Sequence, residues 1–191
     1  MAFENEIKKY FNECMDAERD FASDADCIKK VADAADMLIK CFKSGGKVLI
    51  LGNGGSASDA QHMAAELVVR FEKERKSLPC IALTADTANL TATGNDYSFE
   101  RVFSRQIESL AVKGDVVIAI STSGNSPNVL EAVRVARVKE AKVISLGGKD
   151  GGKLAGMTDI PIIVKNNVTA RVQEVHILII HIICKLIDEA F

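Results

Sequence analysis

Apolar positions at the start of the chain recur at helical spacing. Phe3, Ile7, Tyr10 and Phe11 form one series and Ile28, Val31, Ala35, Leu38 and Ile39 a second, which predicts two helices within residues 1–43. Ser23-Asp24 supplies turn and N-cap chemistry between them, and Gly45-Gly46 closes the second. The pattern then changes. Lys47–Leu51 is a short apolar run without alternation, the mark of a strand buried on both faces. It runs into Gly52-Asn-Gly-Gly-Ser-Ala-Ser58, and a helix is predicted from about Asp59 to Phe71. The same grammar returns at Asp115–Ile120, followed by Ser121-Thr-Ser-Gly-Asn-Ser126 and a helix to about Lys139. Cys80–Thr84, Lys142–Leu146 and, more weakly, Ile160–Val164 read as further strands. Helical stretches fall at Thr87–Thr93 and Phe99–Ala111, and a long last helix runs from about Ala170 to Ala190.

Strands alternating with helices predict an α/β fold, a three-layer sandwich with a central parallel sheet, an N-terminal helical pair and a long C-terminal helix. No linker or low-complexity tract divides the chain, so residues 1–191 are expected to form one domain. Residues Val175–Ile187 are apolar on nearly all faces, which implies deep burial or a seam between subunits. A homo-oligomer packed through the helical pair (residues 1–43) and the last helix is the expectation.

Composition removes several function classes. Lys and Arg number 24 against 26 Asp and Glu, a net charge of −2, so no electrostatic drive toward nucleic acid is present. Aromatics are 5% of the residues and Trp is absent, leaving few platforms for stacking bases. The N-terminus has no apolar targeting core, and no apolar run approaches the roughly 20 residues that span a bilayer. No membrane association and a cytoplasmic location are expected. The five cysteines (Cys14, Cys27, Cys41, Cys80 and Cys184) are odd in number and form no C-x-x-C pair, so reduced, core-packing thiols are expected.

Both polar loops are predicted to leave the carboxyl ends of strands, where open α/β sheets bind ligands. Each opens a helix whose free N–H groups suit a phosphate. Gly52, Gly54 and Gly55 permit close backbone approach, and Ser121, Thr122, Ser123 and Ser126 add hydroxyls. Ser and Asn also serve as plain caps and turn formers, but two such loops in one register favour phosphate binding. Two rival motifs are weaker. Gly52-x-Gly54-x-x-Ala57 fits a dinucleotide fingerprint, yet the acid closing the next strand, Asp86, comes about 30 residues on rather than about 20. Gly147-x-x-x-x-Gly152-Lys153 resembles a P-loop, but Leu154 stands where Ser or Thr would touch magnesium.

His62 and Glu66 share a helix face at i and i+4, while Gln173, His176 and His181 lie on the last helix. All three histidines of the chain thus sit on two helices. They are either satisfied core imidazoles, bonded for example to Glu66 or Glu174, or parts of a metal site or acid/base pair formed where the helices meet. Imidazole and carboxylate suit zinc; a Gln oxygen is a less common ligand. A phosphate anchor beside a base, an acid and a stabiliser of oxyanion charge is what an aldose–ketose isomerase requires.

Taken together, Gly52-Asn-Gly-Gly-Ser56, Thr93-Gly-Asn-Asp96, Ser121-Thr-Ser-Gly-Asn-Ser126 and Arg171-Val-Gln-Glu-x-His176 resemble the sugar isomerase (SIS) superfamily and, within it, the phosphoheptose isomerase family. The resemblance implies a single SIS domain of flavodoxin-like layering and interconversion of sedoheptulose 7-phosphate and D-glycero-D-manno-heptose 7-phosphate, an early step toward the heptose of lipopolysaccharide or capsule. It implies one zinc ion per subunit held by His62, Glu66, Gln173 and His181, with Glu66 and His181 catalytic. It also implies substrate contacts from Asn53, Gly54, Gly55, Ser56, Glu66, Asn95, Asp96, Ser121, Thr122, Ser123, Ser126 and Gln173. A homotetramer with active sites at subunit interfaces completes the expectation. The alternative is a non-catalytic SIS protein that binds a replication-initiator partner; it has no need of Glu66 and His181 on apolar helix faces.

Overall fold

The computed structural model describes residues 3–191. Two helices open the chain, α1 (Glu4–Ser23) and α2 (Ala25–Lys43). Asp24 joins them, its carboxylate accepting from the backbone N–H groups of Asp26 at 3.0 Å and Cys27 at 3.2 Å. That bond set satisfies donors that a helix start leaves free, and it is the cap the sequence predicted.

Strand and helix then alternate: β1 (Val48–Gly52), α3 (Gly55–Val68), β2 (Cys80–Ala82), α4 (Thr87–Asp96), a 3-10 turn (Phe99–Arg101), α5 (Ser104–Leu110), β3 (Val116–Ser121), α6 (Pro127–Val138), β4 (Lys142–Gly148), α7 (Gly152–Ala155), β5 (Ile160–Val164) and α8 (Thr169–Ala190). All the strands pair in parallel, in the order β2-β1-β3-β4-β5. Ile50, Ile118, Ile144 and Ile160 stand side by side across four of them.

Successive strand residues face opposite layers. Val48, Ile50, Val116, Ile118, Ile120, Ile144 and Leu146 pack with α2, α3 and α8 on one face. Leu49, Leu51, Val117, Ala119 and Val143 pack with α5 and α6 on the other. Each fully buried branched side chain is worth about 1.5–3 kcal/mol, and this two-sided burial explains the unalternating apolar runs. The architecture is the expected three-layer α/β sandwich.

Several boundaries differ from the pattern. Helix α3 begins at Gly55 rather than near Asp59 and stops at Val68 rather than Phe71. The predicted helix over 99–111 is a 3-10 turn and a separate α5, and β2 ends at Ala82. The short α7 has no counterpart in the prediction.

Helix α8 resolves the all-round apolar pattern. Val175, Ile179, Ile180, Ile183, Cys184 and Ile187 are buried, whereas Leu178 and Ile182 are 38% and 43% exposed. Phe3, Ile7, Tyr10, Phe11 and Met15 of the N-terminal segment are exposed as well. Cys27, Cys41, Cys80 and Cys184 are buried free thiols and Cys14 is half-buried; burial pushes all their pKa values up. Among the described residues no helix is long and apolar enough to cross a membrane.

Candidate active site

The strand order reverses between β1 and β3, whose carboxyl ends carry the two polar loops. This is the switch point at which doubly wound sheets open a crevice for ligands. In the first loop Gly54 adopts φ +58 and ψ −123, a conformation suited to glycine, and turns the chain directly into α3. In the second, the hydroxyls of Ser121 and Ser126 lie 3.1 Å apart and those of Ser121 and Ser123 3.5 Å apart. The loops are joined by a reciprocal amide pair: Asn53 Nδ2 donates to Asn128 Oδ1 and Asn128 Nδ2 to Asn53 Oδ1, both at 2.9 Å. Asn128 is buried. The pair takes one N–H and one lone pair of the Asn53 amide and fixes its orientation, leaving its second N–H and second lone pair free. The 147–152 glycine turn is structural: a Cβ on Gly124 would stand 2.0 Å from the carbonyl oxygen of Gly151. The helix this turn opens, α7, is only four residues long and carries Leu154 where a P-loop needs Ser or Thr, which argues against the P-loop reading.

The two histidine-bearing helices meet. His62 Nε2 lies 3.0 Å from Glu66 Oε1 and 3.5 Å from His181 Nε2. The rings of His62 and His181 meet edge to face at 5.1 Å, and Phe71 stacks on His181 at 5.4 Å with 30° between planes. His62 is 44% exposed at its side chain and Glu66 22%, so the group opens to solvent in one chain. One turn before His62, Asp59 has a buried Oδ2 with no partner among the described residues. Burial pushes its carboxyl up to about 6, against the opposing pull of His62.

The remaining predicted residues are distributed. Gln173 is brought to the first loop, where a Cβ on Gly55 would stand 2.3 Å from its Nε2. Seven residues, or about 10 Å of helix rise, separate Gly55 from His62, and no hydrogen bond among the described residues ties Gln173 to His62, Glu66 or His181. Asn95 and Asp96 are exposed at the end of α4 and bond to each other at 2.8 Å. Ser56 is buried, while Thr122 is half-buried beside the Ser121–Ser126 cluster. His176 is a core imidazole, but its Nε2 pairs with the Gly147 carbonyl at 3.0 Å rather than with Glu66 or Glu174. Glu174 binds Arg171 instead. The buried Nδ1 of His176 has no partner among the described residues, and burial lowers the pKa of His176 to about 4.

Among the described residues no group of three or more His, Cys, Asp or Glu forms a ready-made metal cage. The donor set still fits zinc. With bonds of about 2.0–2.1 Å, tetrahedral ligands stand about 3.3–3.4 Å from one another, and the two measured separations of 3.0 and 3.5 Å bracket that value. One proton on His62 Nε2 cannot serve both neighbours, which is an arrangement a cation satisfies. Two hollows of about 570 and about 580 Å3, near Asn89 and Arg105 and near Asp36 and Lys142, contain none of these residues.

Sequence reading missed Asn128, Asp59 and Phe71. Asn128 carries a signal, a polar residue directly after the serine loop that becomes buried; the other two carry none.

Residues 9–148 match the SIS domain family. The chain is 61% identical over 158 residues to a phosphoheptose isomerase of Helicobacter hepaticus, covering 83% of this chain and 81% of that one. The solved phosphoheptose isomerase of Neisseria gonorrhoeae superposes with a TM-score of 0.93 at 43% identity, over 98% of this chain and 99% of that one. That of Francisella tularensis gives 0.94 at 41% identity, over 99% and 100%.

Proposed function

Because the chain belongs to the SIS domain family and, within it, to the phosphoheptose isomerases, we propose that it interconverts sedoheptulose 7-phosphate and D-glycero-D-manno-heptose 7-phosphate through an enediolate. The observation that carries this reading is the convergence of His62, Glu66 and His181 on α3 and α8, next to paired loops at the switch point.

The phosphate would be held by the hydroxyls of Ser121, Thr122, Ser123 and Ser126 and by N–H groups at the start of α6, and the sugar by Asn53 to Ser56, Asn95, Asp96 and Gln173. Glu66 takes a proton from C1 of the ketose and returns one to C2. His181 exchanges protons with the substrate oxygens, since the reaction moves a hydrogen between oxygens as well as carbons. His62 orients Glu66 through their 3.0 Å contact. Zinc would be held by His62, Glu66 and His181, whose donor atoms meet in this chain; Gln173, the fourth ligand that the family resemblance implies, stands at Gly55 and is kept as a substrate contact. When bound, the ion would supply positive charge for the enediolate oxygens.

The exposed apolar faces of α1 and α8 support a homo-oligomer, with tetramer the form the family resemblance implies. The solvent-open His62 suits a site completed at a subunit interface. The heptose product would serve lipopolysaccharide or capsule assembly in the cytoplasm.

Incubation of the purified protein with sedoheptulose 7-phosphate tests this directly. Aldose is expected to form, to stop on chelation and to return with zinc. No aldose under any metal condition would overturn the activity, and full turnover after verified metal removal would overturn the zinc assignment.

A further inference from the structure

Helix α3 ends at Val68 without a glycine cap, leaving carbonyls of its last turn without helical partners. A guanidinium from further along the chain takes them. Arg75 Nη2 donates to the Glu66 carbonyl at 2.8 Å, and Nη1 to the carbonyls of Leu67 at 2.9 Å and Lys76 at 3.0 Å. Its Nε donates to Asp188 Oδ1 on α8 at 2.7 Å. The other oxygen of Asp188 accepts the backbone N–H groups of Glu72 at 2.8 Å and Lys73 at 2.9 Å. Both charges are buried, with side-chain exposures of 0% and 3%. Lys185 pairs with Glu72 at the rim.

A buried ion pair of this kind is a poor way to gain stability. Desolvation costs several kcal/mol per ion, and a well-packed apolar pair does as well or better. What it supplies is direction: a planar fork with fixed donors locks three backbone segments to one point. Two of those segments matter here. Glu66 belongs to α3. Asp188 lies seven residues after His181, on the same face of α8, and Phe71 of the connecting segment stacks on the His181 ring.

We propose that residues 69–78 form a positioning strap, in which the Arg75–Asp188 pair fixes the end of α3 against α8 and Phe71 fixes the His181 ring, so that Glu66 and His181 are held at working separation. Arg75, Asp188 and Phe71 are positioning residues that touch no substrate. The proposal rests on the isomerase reading of Glu66 and His181, and its test separates the two.

Two variants serve, Asp188→Asn, which keeps shape while removing the charge, and Phe71→Leu, which alters a half-buried surface side chain and leaves the ion pair intact. Steady-state kinetics with sedoheptulose 7-phosphate would be run beside circular dichroism and long-range 1H–15N spectra of the histidine rings. The expected result for both is native circular dichroism, a fall in kcat of at least about tenfold, since small misplacements of reacting groups are costly, a KM within about twofold, and shifted His181 ring signals. Folded Phe71→Leu protein with wild-type kcat overturns the proposal, as does a raised KM with kcat untouched. If Asp188→Asn fails to fold, Phe71→Leu decides. If the wild-type protein does not turn over this substrate, the isomerase reading falls, and the His181 signals decide the strap alone: shifted in Phe71→Leu supports it and unshifted overturns it.

Discussion

Gly55→Ala isolates the placement of Gln173 from the stability of the fold. Gly55 is the first residue of α3 and has no positive φ. Alanine is therefore compatible with its backbone and favoured over glycine in a helix by about 0.5–1 kcal/mol. The new methyl, however, would stand 2.3 Å from Gln173 Nε2 and 2.9 Å from its Cδ, whereas ordinary contact begins near 3.4 Å. The amide must withdraw by a little over 1 Å, and its long side chain allows this without moving α8. A misplacement of that size at a substrate-contacting group costs on the order of 100-fold in rate. Thermal unfolding and steady-state kinetics together read the result. The expected outcome is an unchanged or slightly higher melting temperature with turnover reduced about 10- to 100-fold. Combining Gly55→Ala with Gln173→Ala should add little to the loss from either, because both remove the same group from its place. Wild-type kcat and KM in folded Gly55→Ala protein would refute the role given to Gln173; a drop of several degrees would refute the account of the helix start.

Asn128→Ala removes the amide bridge between the two loops and strands the side chain of Asn53. A loss of about 1–3 kcal/mol in urea unfolding is expected, with a lower kcat/KM; unchanged stability would mean the bridge is idle. His176 is held neutral, its pKa lowered from an ordinary 6.5 to about 4 by burial, against the raising effect of its bond to Gly147. Because the unfolded chain binds that proton more readily, stability is full above pH 6.5 and falls as pH drops toward 4, by up to about 3 kcal/mol. Unfolding measured at pH 7 and pH 5 should show this, and His176→Gln should flatten the slope; an equal slope in the variant assigns it elsewhere.

The sheet was legible because its strands are buried on both sides, and five short apolar runs separated by helical patterns admit few other arrangements. The start of α3 was not, since Gly55-Ser-Ala-Ser reads as loop until Gly54 is seen to make the whole turn. Its end was misread because Phe71 fits the helical period while its real partner is His181. His62 and Glu66 were visible through their i, i+4 spacing. Gln173 was expected beside them, but the parallel run of α3 and α8 puts it at Gly55 instead. Arg75 and Asp188, 113 residues apart, carry no local signal that they meet.

The central claim is that Glu66 moves a proton at the carbon next to the carbonyl. It is tested most directly by following the C1 protons of sedoheptulose 7-phosphate by NMR in D2O, with the wild-type protein and with Glu66→Gln. The wild-type protein should remove one C1 proton as aldose forms, with solvent deuterium appearing at C2 of the aldose and, through the reverse reaction, at C1 of the ketose, while the folded variant leaves the C1 protons in place, slowed by at least about 1,000-fold, the scale of a lost general base with its positioning. Exchange and aldose formation at the wild-type rate in Glu66→Gln would contradict the account.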